Sequence, residues 1–355
     1  MLQNKKNIEQ AYALAQARYR ELGIDTEKIL DQISRLKISL HCWQGDDVGG
    51  FEGNDGLSGG GIQVTGNYPG KARCAGELRT DLEKALSLLP GKHKVNVHAI
   101  YAENSSTQNR HQLDISHFSE WISWAKKNRL GLDFNGSFFS HPMAASGFTL
   151  SSSDEKIRRY WINHAKACRK IAYAMARELE IPCICNIWIP DGSKDIPVDR
   201  LEPRRRLKNS LDEILNEKYD AAYLRDAVES KLFGIGSESY VVGSHEFYLQ
   251  YTAGGSTMLC FDLGHFHPTE SIADKISAIL LFRNELLLHV SRGVRWDSDH
   301  VVILNDEILS LMREINRTDS WRKVHIALDY FDASINRIAA WAIGGRATLK
   351  ASLLA

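Results

Sequence analysis

Met258-Leu-Cys-Phe-Asp262-Leu-Gly-His265-Phe-His267-Pro268 is the stretch on which the fold turns. Its first five residues, apolar until the last, read as a short strand, and that strand ends on a carboxylate with two imidazoles close behind. Seven other short runs have the same character: Leu36 to Trp43, Lys94 to Tyr101, Leu130 to Asn135, Cys183 to Trp188, Asp226 to Ser230, Leu286 to Ser291 and Val324 to Asp329. Longer segments with helical periodicity separate them. Ile157, Trp161, Ala165, Cys168, Ala172, Met175 and Leu179 make one apolar stripe, and Ile115, Phe118, Ile122 and Ala125 make another.

Strands that alternate with helices form a parallel sheet with right-handed crossovers, and eight such units close a barrel. The expected fold is therefore an α/β (β/α)8 TIM barrel occupying residues 1–355 as a single domain. A doubly wound open sheet is the rival architecture. It lacks support because no dinucleotide fingerprint occurs, and the glycines from Gly56 to Gly70 do not lead from a strand straight into a helix.

Polar residues at the carboxyl ends of barrel strands share one mouth. The last half of the chain supplies Glu229 and Lys231, then Asp262, His265 and His267, then His289, then Asp297 and Asp299, then Asp329. Burying several anions together is costly unless protons or cations offset the repulsion, and divalent ions do so while leaving the carboxylates ionised. Seven residues (Glu229, Asp262, His265, His289, Asp297, Asp299 and Asp329) are more than one octahedral ion needs, so two sites are expected. Oxygen and imidazole ligands without thiolate suit Mn2+ first, with Mg2+, Co2+ or Zn2+ as alternatives. Any one of these residues could instead be a helix cap, a turn residue or a satisfied core histidine. Recurrence at consecutive strand ends favours metal.

Lys231 leaves its strand on the same side as Glu229, where it could hold a substrate hydroxyl or a ligand; a surface lysine is the plain alternative. His98 points either inward or toward the helices. Trp43, Trp188 and Phe331 fall at or just past strand ends and could wall a pocket, or simply pack under the rim. Asp46 to Phe51 and the glycines up to Gly70 form a long loop that could act as a lid. It contains no Gly-Lys-Ser/Thr, so it does not cradle phosphate.

Composition narrows the partners. Lysine plus arginine equals aspartate plus glutamate at 44 each, a formal net charge of zero, which disfavours nucleic acid and anionic membrane. The basic run Arg204 to Arg206 with Lys208 reads as a solvated helix face. No window approaches the roughly 20 apolar residues of a membrane span, no signal-like stretch opens the chain, and a cytoplasmic location is expected. The cysteines at 42, 74, 168, 183, 185 and 260 lack paired spacing and read as reduced thiols.

The segments Ile38 to Phe51, Ala227 to Gly234, Gly264 to Glu270, Val294 to His300 and Asp329 to Ile338 resemble the L-rhamnose isomerase family, and the likeness spans almost the whole chain. The resemblance implies a xylose-isomerase-like barrel with two divalent ions. Glu229, Asp262, His289 and Asp329 match the structural-metal ligands; His265, Asp297 and Asp299 match those of the catalytic metal. Trp43, His98, Trp188, Lys231 and Phe331 are the expected substrate-binding residues, and Asp297, Asp299, Asp329, His98 and Lys231 the catalytic ones. The expected reaction turns L-rhamnose into L-rhamnulose by a 1,2-hydride shift, with side activity on related aldoses and no nicotinamide. A barrel metallohydrolase or phosphodiesterase is one alternative, and a sugar-binding barrel without turnover is another. Members of the family are expected to assemble as homotetramers, or at least dimers, through helices beyond the eighth; this sequence stops at Ala355, so the expected consequence falls on assembly.

Overall fold

The apolar runs become the strands of a closed parallel barrel in a computed structural model, which describes residues 2–52, 62, 64–103, 110–231, 239–267, 269–294 and 296–355, with only the backbone at 2, 3 and 296–298. The strands are β1 (Ile38–His41), β2 (Lys94–His98), β3 (Gly131–Asn135), β4 (Cys183–Ile187), β5 (Leu224–Glu229), β6 (Met258–Asp262), β7 (Leu286–Val290) and β8 (Val324–Leu328). Each pairs with its sequence neighbours, and β1 closes the ring against β8 in the register Ile38–Ile326 and Leu40–Leu328.

Two helices, α1 (Leu2–Glu21) and α2 (Thr26–Ser34), precede the barrel. One helix then follows each strand: α3 (Ala75–Ser87), α4 (Ser119–Asn128), α5 (Glu155–Leu179), α6 (Leu201–Leu215), α7 (His245–Tyr251), α8 (Ala273–Leu280), α9 (Asp306–Arg317) and α10 (Arg337–Leu354). Among the described residues no helix is long and apolar enough to cross a membrane. The stripe read for α5 is its buried face: Trp161, Ala165, Cys168, Ala172 and Met175 are all buried, and the Asp154 carboxylate caps the helix by accepting from the Lys156 N–H.

Where the sequence extended β1 to Trp43 and β2 to Tyr101, the chain tightens into single 3-10 turns at Cys42–Gly45 and Ala99–Tyr101. The first of these turns stitches the mouth. Gln44 accepts from the backbone N–H of Asp332 and donates to its carbonyl, which ties the end of β1 to the loop after β8. The proposed lid is anchored at its start. Asp46 accepts from the Tyr101 hydroxyl at 2.6 Å and the Gly50 N–H at 2.7 Å, and Asp47 pairs with Arg337 at 2.7 Å. Gly53 to Gly61 lie outside the described residues.

Period-two alternation decides what the barrel holds inside. Ile184, Ala227, Met258, Cys260 and Leu287 form their own small apolar cluster, apart from the main core between barrel and helices. Two residues farther along β4, β5, β6 and β7 stand Asn186, Glu229, Asp262 and His289. The polar groups therefore rise one rung above an apolar floor, at the carboxyl ends of the strands.

Candidate metal centre

Glu229 ends β5, Asp262 ends β6, His289 lies on β7 directly beside Asp262 in register, and Asp329 follows β8. Their ligand atoms all lie within 4.8 Å of one another, and all four residues are buried. His289 Nδ1 stands 2.7 Å from Asp329, 3.1 Å from Glu229 and 3.8 Å from Asp262. Neither His289 nitrogen nor Asp329 Oδ1 has a hydrogen-bond partner of acceptable geometry. His289 is ion-paired with Asp329 and Glu229 at close range, yet neither of its nitrogens meets a partner in hydrogen-bond geometry, an arrangement that a cation in place of the ring proton would complete.

Electrostatics point the same way. Burial, followed by the charges of Glu229 and Asp329, pushes the Asp262 carboxyl well above its ordinary range. Burial also raises Asp329, more than His289 can offset. Burial would raise Glu229 too, but His289, His265 and the Asn186 amide outweigh it and hold it low. Three carboxylates cannot all be ionised in this space on their own, and a divalent ion is what would let them be. Cys260 lies within ligand distance of Glu229 and His289, and burial raises its thiol well above the ordinary range, which makes it a harder donor to ionise than the neighbouring carboxylates.

A second group joins Asp262 to His265 and Asp299, again within 4.8 Å, so Asp262 belongs to both. Asp262 also accepts from Gly264 N–H at 2.7 Å and from the Ser291 hydroxyl at 3.0 Å. It is thus the cap of the turn Leu263–His265 as well as a potential ligand, and the two readings coexist. Asp299 does not arrive on a barrel strand. It sits on a hairpin, Arg292–Val294 with Trp296–His300, which the Phe331 N–H holds by donating to the Asp299 carbonyl. The side chain of Asp297, on the same hairpin, lies outside the described residues.

Above this floor is a narrow cleft lined by Trp43, Phe139, Trp188 and Phe331, with Ile62 and Asn135 among the wall residues and the acidic cluster at its base. Trp43 meets Phe331 edge-on at 5.2 Å between centroids. The indole N–H groups of Trp43 and Trp188 are buried without partners. Of the other sequence candidates, His98 is fully buried behind Trp43, its ring 4.2 Å from the indole, with Nε2 3.1 Å from His41 Nδ1 and its own Nδ1 unpartnered. It points inward. Lys231 is buried rather than on the surface, and its ammonium donates to the Pro190 carbonyl at 2.8 Å. Neither residue is among those lining the cleft.

His41, Asn186 and Phe139 were not singled out from sequence. His41 lies 3.1 Å from Asp329 and could serve with it and His289 as a ligand, and Asn186 donates to Glu229. The signal for His41 was present in Ile38-Ser-Leu-His, where Ser39 and His41 share one strand face.

The family described as L-rhamnose isomerase (RhaA) matches residues 6–355. An L-rhamnose isomerase of Rhodopirellula baltica is 57% identical over 349 residues, 98% of this chain and 82% of that protein. One from Escherichia coli is 59% identical over 348 residues, 98% of this chain and 83% of the relative. Among solved structures, an L-ribulose 3-epimerase superposes with a TM-score of 0.56 at 11% identity, covering 89% of this chain and 95% of that one. A putative xylose isomerase from Rhodospirillum rubrum gives 0.52 at 13%, covering 88% and 98%. These two likenesses establish the fold alone.

Proposed function

The chain belongs to the L-rhamnose isomerase family, and from that premise we propose that it converts L-rhamnose to L-rhamnulose and turns over related aldoses more slowly. The observation that carries the proposal is the convergence of Glu229, Asp262, His289 and Asp329 at the base of an aromatic-walled cleft. Manganese, two ions per chain, suits the donor set: Glu229, Asp262, His289 and Asp329 would hold one, and His265 and Asp299 with Asp297 the other. Divalent ions at these positions supply polarisation of the C1 carbonyl and acidification of the C2 hydroxyl.

The chain's own residues do the rest. The indole N–H groups of Trp43 and Trp188 are donors available to sugar hydroxyls, and Phe139 and Phe331 supply an apolar surface for the 6-deoxy methyl group. As the O2 proton departs to a neighbouring carboxylate, Asp299 or Asp329 being placed to receive it, the C2 hydrogen moves with its electron pair to C1. O1 then takes up the proton that the carboxylate received, and C2 becomes the carbonyl. His98, buried behind Trp43, backs the indole wall of the cleft, and Lys231 holds the Pro190 loop beside it. One methyl against one hydroxyl in such a wall discriminates by only about 1–3 kcal/mol, hence the side activity. A single-domain chain acting in the cytoplasm and assembling with copies of itself, as a homotetramer or a dimer, completes the reading.

L-Rhamnose deuterated at C2 tests it. The label should appear at C1 of the ketose. Deuterium lost to solvent would contradict the hydride shift, and absence of any ketose would contradict the function.

A further inference from the structure

Arg110 lies outside every motif that carries the chemistry, yet it is 1% exposed and all five of its N–H donors are engaged. Nε and one terminal nitrogen grip the Glu52 carboxylate at 2.8–3.1 Å. The remaining donors reach three backbone carbonyls, those of Ser137, Phe139 and Ser140. These residues form the loop that leaves β3, and Phe139 is its contribution to the cleft, 6.0 Å from Trp188 and 6.2 Å from Trp43 between ring centroids.

The backbone would not choose this loop unaided. Ser137 and Ser140 have φ values of 52° and 49°, in the left-handed region that side chains other than glycine's disfavour. Three carbonyls turned to one buried point also need donors there. A guanidinium, with five N–H groups in a rigid fork, satisfies all three and neutralises Glu52 at once. From behind, His164 of α5 places its ring nitrogens 2.9 Å from the Arg110 carbonyl and 2.5 Å from that of Gly136; burial lowers its pKa to about 4, so the neutral ring donates to one of the two carbonyls and only packs against the other.

We propose that Arg110 is a positioning residue for sugar binding: its guanidinium fixes the loop after β3, and so sets the face that Phe139 presents to the substrate. The proposal rests on the aldose-isomerase reading and deepens it. The metal-ligand candidates stand on β1, at the ends of β5 to β8 and on the hairpin beyond β7, and Arg110 bonds none of them. Its loss should therefore be felt in substrate affinity and selectivity, and not in metal binding.

The test uses the full chain loaded with Mn2+, as Arg110→Met, Phe139→Ala, the double variant and Arg110→Lys. Both single variants should raise KM for L-rhamnose about tenfold or more, leave kcat within about threefold, and narrow the preference over the 6-hydroxylated counterpart. The double variant should be no worse than the worse single, because both remove one contact. Lysine should resemble methionine, since it keeps the charge but not the fork. Mn2+ affinity, read by electron paramagnetic resonance, should be unchanged. An unaltered KM and selectivity in Arg110→Met, additive effects in the double variant, or loss of Mn2+ binding would each overturn the proposal. If Arg110→Met does not fold, Arg110→Lys carries the same comparison. A wild type that forms no ketose would remove the functional reading instead. The crystal structure of Arg110→Lys then decides positioning by itself: Phe139 displaced from the cleft supports it, and Phe139 in place overturns it.

Discussion

Gly264 governs how closely the two groups of acidic residues can share Asp262. A Cβ at this position would sit 2.8 Å from Asp299 Oδ1, 3.0 Å from the Ser291 hydroxyl and 3.2 Å from Asp262 Oδ1. Gly264→Ala must therefore spread the second group. Activity is expected to fall at least about 100-fold, with Mn2+ affinity lowered by about 10- to 100-fold as supporting geometry is lost, while the thermal midpoint of the metal-free chain changes little. A ketose assay measures the first effect and isothermal titration with Mn2+ the second. Asp46 gives a second prediction. Burial lifts its carboxyl to about 7, against hydrogen bonds from Tyr101 and Gly50 that work the other way. A folded-state pKa raised above the unfolded value near 3.8 means that the neutral form suits the fold. Its stabilisation is complete below about pH 4 and disappears as pH rises through 7. Asp46→Asn, which can keep an acceptor for the Gly50 N–H and turn its amide to the Tyr101 hydroxyl, should match wild type near pH 4. Above pH 7 it should be more stable by up to about 4 kcal/mol. Urea unfolding at a series of pH values reads the difference.

At the scale of elements, α10 lies flush on the barrel because Gly344 has no side chain. An added Cβ would fall 2.1 Å from the Tyr330 hydroxyl, which itself donates to the Ala340 carbonyl. Gly344→Ala should destabilise the chain by about 1–3 kcal/mol, the ordinary cost of overpacking, visible as a lower denaturation midpoint. The strands were legible in sequence because each is a short apolar run between helical periods, and all eight runs coincide with barrel strands. Their ends were less legible. Trp43 and Tyr101 follow their strands in apolar continuity, and only the 3-10 turns, set by long-range partners such as Asp332 for Gln44, end the strands earlier. Glu229, Asp262, His289 and Asp329 stood out because charge at the end of an apolar run is conspicuous. Arg110 and Phe139 did not, because a guanidinium that serves carbonyls 27 to 30 residues away leaves no local pattern. Asp46 and Asp47 looked like lid residues for the same reason: Tyr101 and Arg337, which hold them, are remote in sequence.

For the whole molecule, the candidate ligand groups come from the ends of four consecutive strands, so a cation bound among them would act as a clasp across half the barrel. A ligand that binds only the folded state adds about 2.7 kcal/mol of stability at 100 times its dissociation constant. Scanning calorimetry should therefore show the thermal midpoint falling by several degrees in EDTA and returning with Mn2+, and the rise should be smaller in Asp329→Asn. Steep dependence on Mn2+ with no change of midpoint would place the ion outside the barrel.

The account depends most on cations compensating the carboxylates at the strand ends so that an aldose can react above them. Ketose formation from L-rhamnose, followed as Mn2+ is titrated into chelator-stripped chain, tests this most directly. Activity should be absent without metal and return as about two ions bind per chain. Undiminished ketose formation in EDTA would contradict the account.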